Sequence, residues 1–449
     1  TLNGSVFSHS PDAATSGQVK FWGAGTIIVN GNVFCGDEVL VSGTGTTELN
    51  GMLFAEARPF TAATRLLVNG GATLQLASLN GAGTTQLGRL PLDAAQLVLD
   101  SGRLRLTGAT NTRRGFTIGA GGATIEAATG SDVTLTDTGV VSELIVSTAG
   151  GRLTLTGESN AARLNKIVPG TGGLTKSGNG TWTLGASNTY TGTTLVNGGT
   201  LLVNGSTAAS SAVTVNANAT LGGSGVVGGA VTVNASGRLS PGGGVGVVGT
   251  LTLGSLSLKT QSETRIEVAS TGSFDRLLVN GSASLNGALT VSLGSFTPSR
   301  SSSFTVLSAS SRAGSFSNAN AWGLITTDLV GAFVIEYSST AVVLKEFTTV
   351  GDVNLDGSVN NQDIASMVGL LTGGAAAGAI GFAADVDGNG VVNNQDIAPF
   401  VALLTGGRPL SDFADDPDFS PLLSLVPEPA GLWASTLVAL LSRRRRSRL

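Results

Sequence analysis

A strand that ends in Val-Asn, a few small residues and then a Leu recurs along this chain. It appears as Leu67-Val68-Asn69 before Leu74, Leu195-Val196-Asn197 before Leu201 and Thr214-Val215-Asn216 before Leu221. Thr232-Val233-Asn234 before Leu239 and Leu278-Val279-Asn280 before Leu285 repeat it. From Val196 to Val215 to Val233 the step is 18–19 residues. A unit this short cannot bury its own apolar side and must stack on its neighbours. Within and between the units, Ala72-Thr-Leu74-Gln-Leu76, Arg103-Leu-Arg-Leu106, Arg152-Leu-Thr-Leu155 and Gly249-Thr-Leu-Thr-Leu253 alternate apolar with polar, the period of half-buried strands. The pattern predicts a mainly β fold, a parallel β-solenoid over residues 1–346. Asn and Gly suit its corners because they tolerate positive φ, and Asn at equivalent positions can stack into hydrogen-bonded ladders. The competing reading takes the Asn-Gly pairs as β-hairpins of an antiparallel sandwich, with Leu66 to Leu76 as one hairpin. The persistent period and an aromatic content of only 5% favour the solenoid.

Composition narrows the chemistry. Charged residues make up 12% of the chain, against about 25% in ordinary globular proteins, and 66 residues are Gly, yet Val, Leu and Ile are too plentiful for a disordered chain. The net charge is −4, and Arg443 to Arg446 and Arg448 are gathered in one terminal tail, so no basic surface for nucleic acid is expected. One Cys and one His exclude a disulfide framework and a thiol-zinc site. Cys35 reads as a small buried hydrophobe and His9 as a solvated loop residue. Between Glu158 and Glu263 there is no Asp or Glu at all, which leaves that stretch without a general acid or base. Asp132 and Asp137 are read as solvated turn residues rather than a catalytic pair, and Trp182 and Tyr190 as packing between coils. The chain opens on Thr1 in mid-pattern, which reads either as a removed leader or, preferably, as a fragment.

Near the C-terminus one loop is written twice. The first copy places Asp352, Asn354, Asp356, Asn360 and Asp363 at loop positions 1, 3, 5, 9 and 12, with Gly357 at position 6. The second places Asp385, Asp387, Asn389, Asn393 and Asp396 likewise, with Gly390 at position 6. Oxygen donors at that spacing suit a hard cation such as Ca²⁺. Ile364, Met367, Val368 and Leu371 follow the first loop, and Ile397, Phe400, Val401 and Leu404 the second, each a helical stripe ended by Gly-Gly. Pro399 falls in the first turn, where its missing N–H is harmless. The two stripes are expected to pack together as a small all-α pair.

Three resemblances can now be named. Gly172-Gly-Leu-Thr-Lys176-Ser-Gly178-Asn-Gly-Thr-Trp182-Thr-Leu184 and Asn188-Thr-Tyr190-Thr-Gly192 through Gly199-Thr-Leu201 closely resemble the autotransporter-associated β-strand repeat, best matched at 172–203. That resemblance implies a right-handed parallel β-helix exposed outside the cell. No amphipathic barrel strands follow residue 350, so self-secretion is not expected. Residues 351–407 resemble a type I dockerin, whose loops also close with Asp. The resemblance implies two Ca²⁺ ions, held by Asp352, Asn354, Asp356, the Ser358 carbonyl, Asn360 and Asp363, and by Asp385, Asp387, Asn389, the Val391 carbonyl, Asn393 and Asp396. Asn360 and Asn393 would act through water. It further implies a cohesin-like partner facing Asn361, Gln362, Asn394 and Gln395. After a linker at 408–425, residues 426–449 carry Pro427-Glu428-Pro429, an apolar run and the Arg cluster. That order resembles a PEP-CTERM sorting tail and implies an exosortase-type processing enzyme.

Taken together these features predict an exported, structural or adhesive, non-enzymatic protein of the bacterial envelope, cell surface or extracellular matrix. One alternative is a glycan-active component recruited through its dockerin to a polysaccharide-degrading assembly. A carbohydrate-binding module without catalysis is a third.

Overall fold

The computed structural model describes residues 1–4, 6–7, 18–35, 38–50, 53–55, 65–79, 97–112, 115–135, 146–147, 150–165, 170–244, 246–319, 324–325 and 331–406. They form two compact units. The first takes in Thr1–Val291, Thr305–Asn318 and Tyr337–Val342; the second, Ser292–Phe304, Ala319–Glu336 and the described residues from Val343 onward.

The first unit is a parallel β-solenoid. Its strands pair with their equivalents one coil away, so Val196 lies against Val215, and Val215 against Val233. The recurrent Val-Asn unit is therefore the coil itself. From Leu174 to Thr194, Val213 and Val231 the coil takes 20, 19 and 18 residues. It lengthens to 27 between Glu38 and Arg65 and to 31 between Leu66 and Leu97. The hairpin reading of Leu66 to Leu76 does not hold. Arg65–Asn69 pairs in parallel with strands at Glu38–Gly43 and Leu97–Asp100, while Thr73–Leu76 belongs to another sheet.

Alternation places one residue in two inside. Leu74, Leu104, Ile125 and Leu155 stand in register as one buried column. Each such side chain contributes about 1.5–3 kcal/mol relative to exposure. Outside the column, Asn216 donates its amide to Asn197 Oδ1 at 2.7 Å, and Asn234 to Asn216 Oδ1 at 2.8 Å. A second ladder runs from Asn50 to Asn30 and on to Asn3. Trp182 is fully buried with its Nε1 donating to the Thr156 carbonyl at 3.0 Å, and the Tyr190 hydroxyl meets Thr194 Oγ1 at 2.7 Å. Both aromatics thus pack inside the solenoid. Cys35 is buried, as read from its type. Asp132 is exposed, and Asp137 and His9 lie outside the described residues.

In the second unit Phe296, Phe304, Phe333 and Phe347 form a chain of ring contacts, with successive centroids 6.4, 5.8 and 4.9 Å apart. Three helices follow: α1 (Asp363–Leu371), α2 (Gly378–Ala384) and α3 (Ile397–Thr405). Ile364 and Met367 of α1 pack with Ile397, Phe400 and Val401 of α3, with Val368, Leu371 and Leu404 at the margin of this core. The two predicted stripes therefore do meet. Helix α2 was not expected, because its Gly- and Ala-rich sequence shows no helical period. Ala383 and Ala384 nonetheless complete the core, and the α2 carbonyl of Ala383 accepts from Gly351 N at 2.8 Å. Among the described residues no helix is long and apolar enough to cross a membrane. Pro427, Glu428, Pro429 and the whole 426–449 tail lie outside the described residues.

Candidate metal centre

The two loops fold alike because their hydrogen bonds are local and their donors and acceptors recur at the same positions. Asp352 Oδ2 accepts from Gly357 N, and Asp385 Oδ2 from Gly390 N, both at 3.0 Å. Asn354 Oδ1 accepts from Asp356 N, and Asp387 Oδ1 from Asn389 N. Asp356 Oδ1 accepts from Ser358 N, and Asn389 Oδ1 from Val391 N. These contacts, from i to i+2 and i to i+5, curl each loop around its own side-chain oxygens. Gly357 and Gly390, at φ +91 and +89, make the turn that a Cβ would strain.

The closing aspartates carry the return. Asp363 accepts from Asn354 N and Asn360 N at 2.9 Å each. Asp396 accepts from Asp387 N at 3.1 Å and Asn393 N at 2.9 Å. Both are completely buried. Asn360 Oδ1 accepts from Gln362 N, and Asn393 Oδ1 from Gln395 N, so the position 9 residues also fasten the start of the following helix. Asn393 and Asp396 form a reciprocal capping box.

One oxygen in each loop has nothing to bind. Asp352 Oδ1 and Asp385 Oδ1 are buried and without a hydrogen-bond partner. Carboxylate oxygens of Asp385, Asp387 and Asp396 converge within 4.8 Å of one another. Burial, followed by the neighbouring Asp363 and Asp356, raises the Asp352 carboxyl above its ordinary range. Burial, with Asp387 next among the charges, does the same to Asp385, and burial with Asp387 and Asp385 does so to Asp396. Crowded acids with an orphaned buried oxygen fit a hard cation, because an unpaired buried carboxylate oxygen costs free energy that such an ion would recover. The donor set is all oxygen, which suits Ca²⁺ and not a thiol-seeking metal. A bound Ca²⁺ would supply charge neutralisation and oxygen coordination, and would need no redox or acid-base partner. Asp385, Asp387 and Asp396 are thus brought together directly, while in the first loop Asp363 is bonded to the Asn354 and Asn360 amides and Asn354 Nδ2 donates to Asp356 Oδ2 at 2.9 Å.

Two further partners were not read from the sequence: the Gly357 and Gly390 amides that hold the free-ended aspartates, and α2, which anchors Gly351. The glycines at position 6 were the available signal for the first; nothing local marked the second. Asn361, Gln362, Asn394 and Gln395 are all exposed beside the helix starts, and Gln395 Oε1 accepts from Asn389 Nδ2 at 3.1 Å.

Comparison with known proteins agrees with this geometry. Residues 350–400 match the dockerin type I domain. Residues 174–203 match the passenger-associated-transport-repeat. A 129-residue stretch, 28% of the chain, is 36% identical to the adhesin BmaC autotransporter of Brucella suis biovar 1 (strain 1330). The aligned stretch spans 3% of that relative's length. The repeat match falls where the Trp182 coil was read from sequence, and the dockerin match spans both loops, α1, α2 and the start of α3.

Proposed function

We propose that this chain is an exported bacterial surface or matrix protein with a structural, adhesive role and no catalytic one. A solenoid over residues 1–346 presents a long outer surface, a calcium-binding dockerin-like module at 351–407 follows it, and a linker at 408–425 leads to the sorting tail at 426–449. The observation that carries the reading is the pairing in one chain of a passenger-repeat solenoid with two oxygen-lined loops, each holding a buried, partnerless Asp oxygen. The likeness to an adhesin over part of the solenoid-bearing chain supports it. Two Ca²⁺ ions would be held by Asp352, Asn354, Asp356, Ser358, Asn360 and Asp363, and by Asp385, Asp387, Asn389, Val391, Asn393 and Asp396. Asn361, Gln362, Asn394 and Gln395 would face a cohesin-like partner. An exosortase-type enzyme would process the Pro427-Glu428-Pro429 tail.

The test is surface retention. Cells making the full chain are labelled from outside and challenged with matrix polysaccharide, and the bound fraction is compared with a strain lacking the gene. Retention without release of reducing sugar is expected; sugar release would overturn the non-catalytic reading. The dockerin match favours a second reading, recruitment to a polysaccharide-degrading assembly, which a cohesin-bearing scaffold captured with calcium and released by chelator would establish.

A further inference from the structure

The two loops carry the same residue at eight of twelve positions and differ at positions 3, 5 and 7, where Asn354, Asp356 and Ser358 answer to Asp387, Asn389 and Val391, and at the fourth. There the second loop has Gly388, at φ +73, and the first has Leu355, at φ +63. Both are left-handed. Glycine adopts that conformation without steric cost, whereas a leucine Cβ crowds the following carbonyl oxygen. The two cages keep the same number of acids and the same closure. Each has three aspartates, an orphaned position 1 oxygen that is more than nine-tenths buried, and a closing Asp bonded to two backbone amides. The three acids of the second loop also converge directly, whereas Asn354 stands at the corresponding place in the first.

We infer that the loops fill unequally, the Gly388 loop taking its cation first and the Leu355 loop second. This rests on the calcium reading of both loops. The ligand-bearing loop geometry needs a left-handed backbone at position 4, which costs the Leu355 loop free energy that the Gly388 loop does not incur. That cost falls on the first site alone. It makes the first site roughly five- to thirty-fold weaker than the second. The module then has a half-loaded state, with the α3 end ordered by its ion while the α1 end awaits higher calcium.

The experiment is calorimetric titration of the full chain with CaCl₂ after chelator treatment, on wild type and on Leu355→Gly, Gly388→Leu, Asp352→Ala and Asp385→Ala. Wild type is expected to show two classes of site. Asp352→Ala should retain the tighter class and Asp385→Ala lose it. Leu355→Gly should draw the weaker class toward the tighter by the stated factor, and Gly388→Leu should weaken the tighter. Two sites of equal affinity, a tighter class that survives Asp385→Ala, or a weaker class unmoved by Leu355→Gly would overturn the inference while leaving calcium binding intact. Absence of any calcium heat in wild type would overturn the calcium reading itself, and the inference with it.

Discussion

Lys176 stands in parallel register with Val196, so an ammonium occupies a place in a buried column that is aliphatic on both sides. Leu155 is its neighbour in the preceding coil. The stem covers apolar surface while Nζ donates to the carbonyls of Ser177 at 2.7 Å and of Gly178 and Gly198 at 2.9 Å. Those carbonyls belong to the turns of two successive coils, which the amine ties together.

Burial lowers the Lys176 amine from 10.5 to about 8, with Glu158 pulling the other way. Between about pH 8 and 10.5 the folded chain has released a proton that the unfolded chain still binds, so this group adds stability as pH rises across that window. Lys176→Met should cost about 1–3 kcal/mol at pH 7 by stranding the carbonyls. The wild-type advantage should then widen from pH 8 to 10. Denaturant midpoints of the pair at several pH values check both points, and a gap that narrows on alkalinisation would contradict them.

The Asn ladder gives a second measurement. Asn216 both donates to Asn197 and accepts from Asn234, so Asn216→Ala breaks two side-chain bonds between coils. A loss of about 1–3 kcal/mol is expected, at about 1 ± 0.5 kcal/mol per bond. A double-mutant cycle with Asn197→Ala should return a coupling of at least about 0.5 kcal/mol; strictly additive losses would show that the ladder is geometric and not energetic.

Asp275 is buried, and its carboxylate accepts from Gly249 N at 2.7 Å and Glu267 N at 3.0 Å. Burial outweighs those two bonds and raises it from 3.8 to about 7, with Glu267 adding like charge. A carboxyl raised on folding favours the native state when protonated. Its contribution is therefore full below about pH 4 and disappears as pH climbs through 7. The stability of wild type relative to Asp275→Asn should accordingly decline from pH 4 to pH 7. Thermal midpoints across that range test the sign.

Asp363 is fully buried and closes its loop through Asn354 N and Asn360 N. Asp363→Ala should therefore unfasten the loop, with a loss of about 3 kcal/mol from charge-assisted bonds. Circular dichroism should show α1 and α3 melting earlier in the variant, and in wild type treated with chelator, with the β signal of the solenoid unchanged. A β signal that falls in parallel would contradict this.

What was legible in advance was what repeats or stays local. Val196, Val215 and Val233 announce their own stacking because equal spacing brings equal side chains into one register. The loops announce themselves because their bonds close within two to nine residues. Leu66 to Leu76 remained open between coil and hairpin, since both readings share the same local alternation and turn, and only the partner strands differ.

The amino-acid order by itself therefore determined the stacked strands, the Asn ladder and the paired oxygen-lined loops, each a consequence of period or short-range geometry. Tertiary structure alone decided where the Lys176 amine ends, that Asp275 is buried, that α2 completes the helical core and that Leu355 is held left-handed. Those outcomes depend on carbonyls, amides and apolar surface supplied by other coils or helices, and on backbone closure that no local pattern encodes.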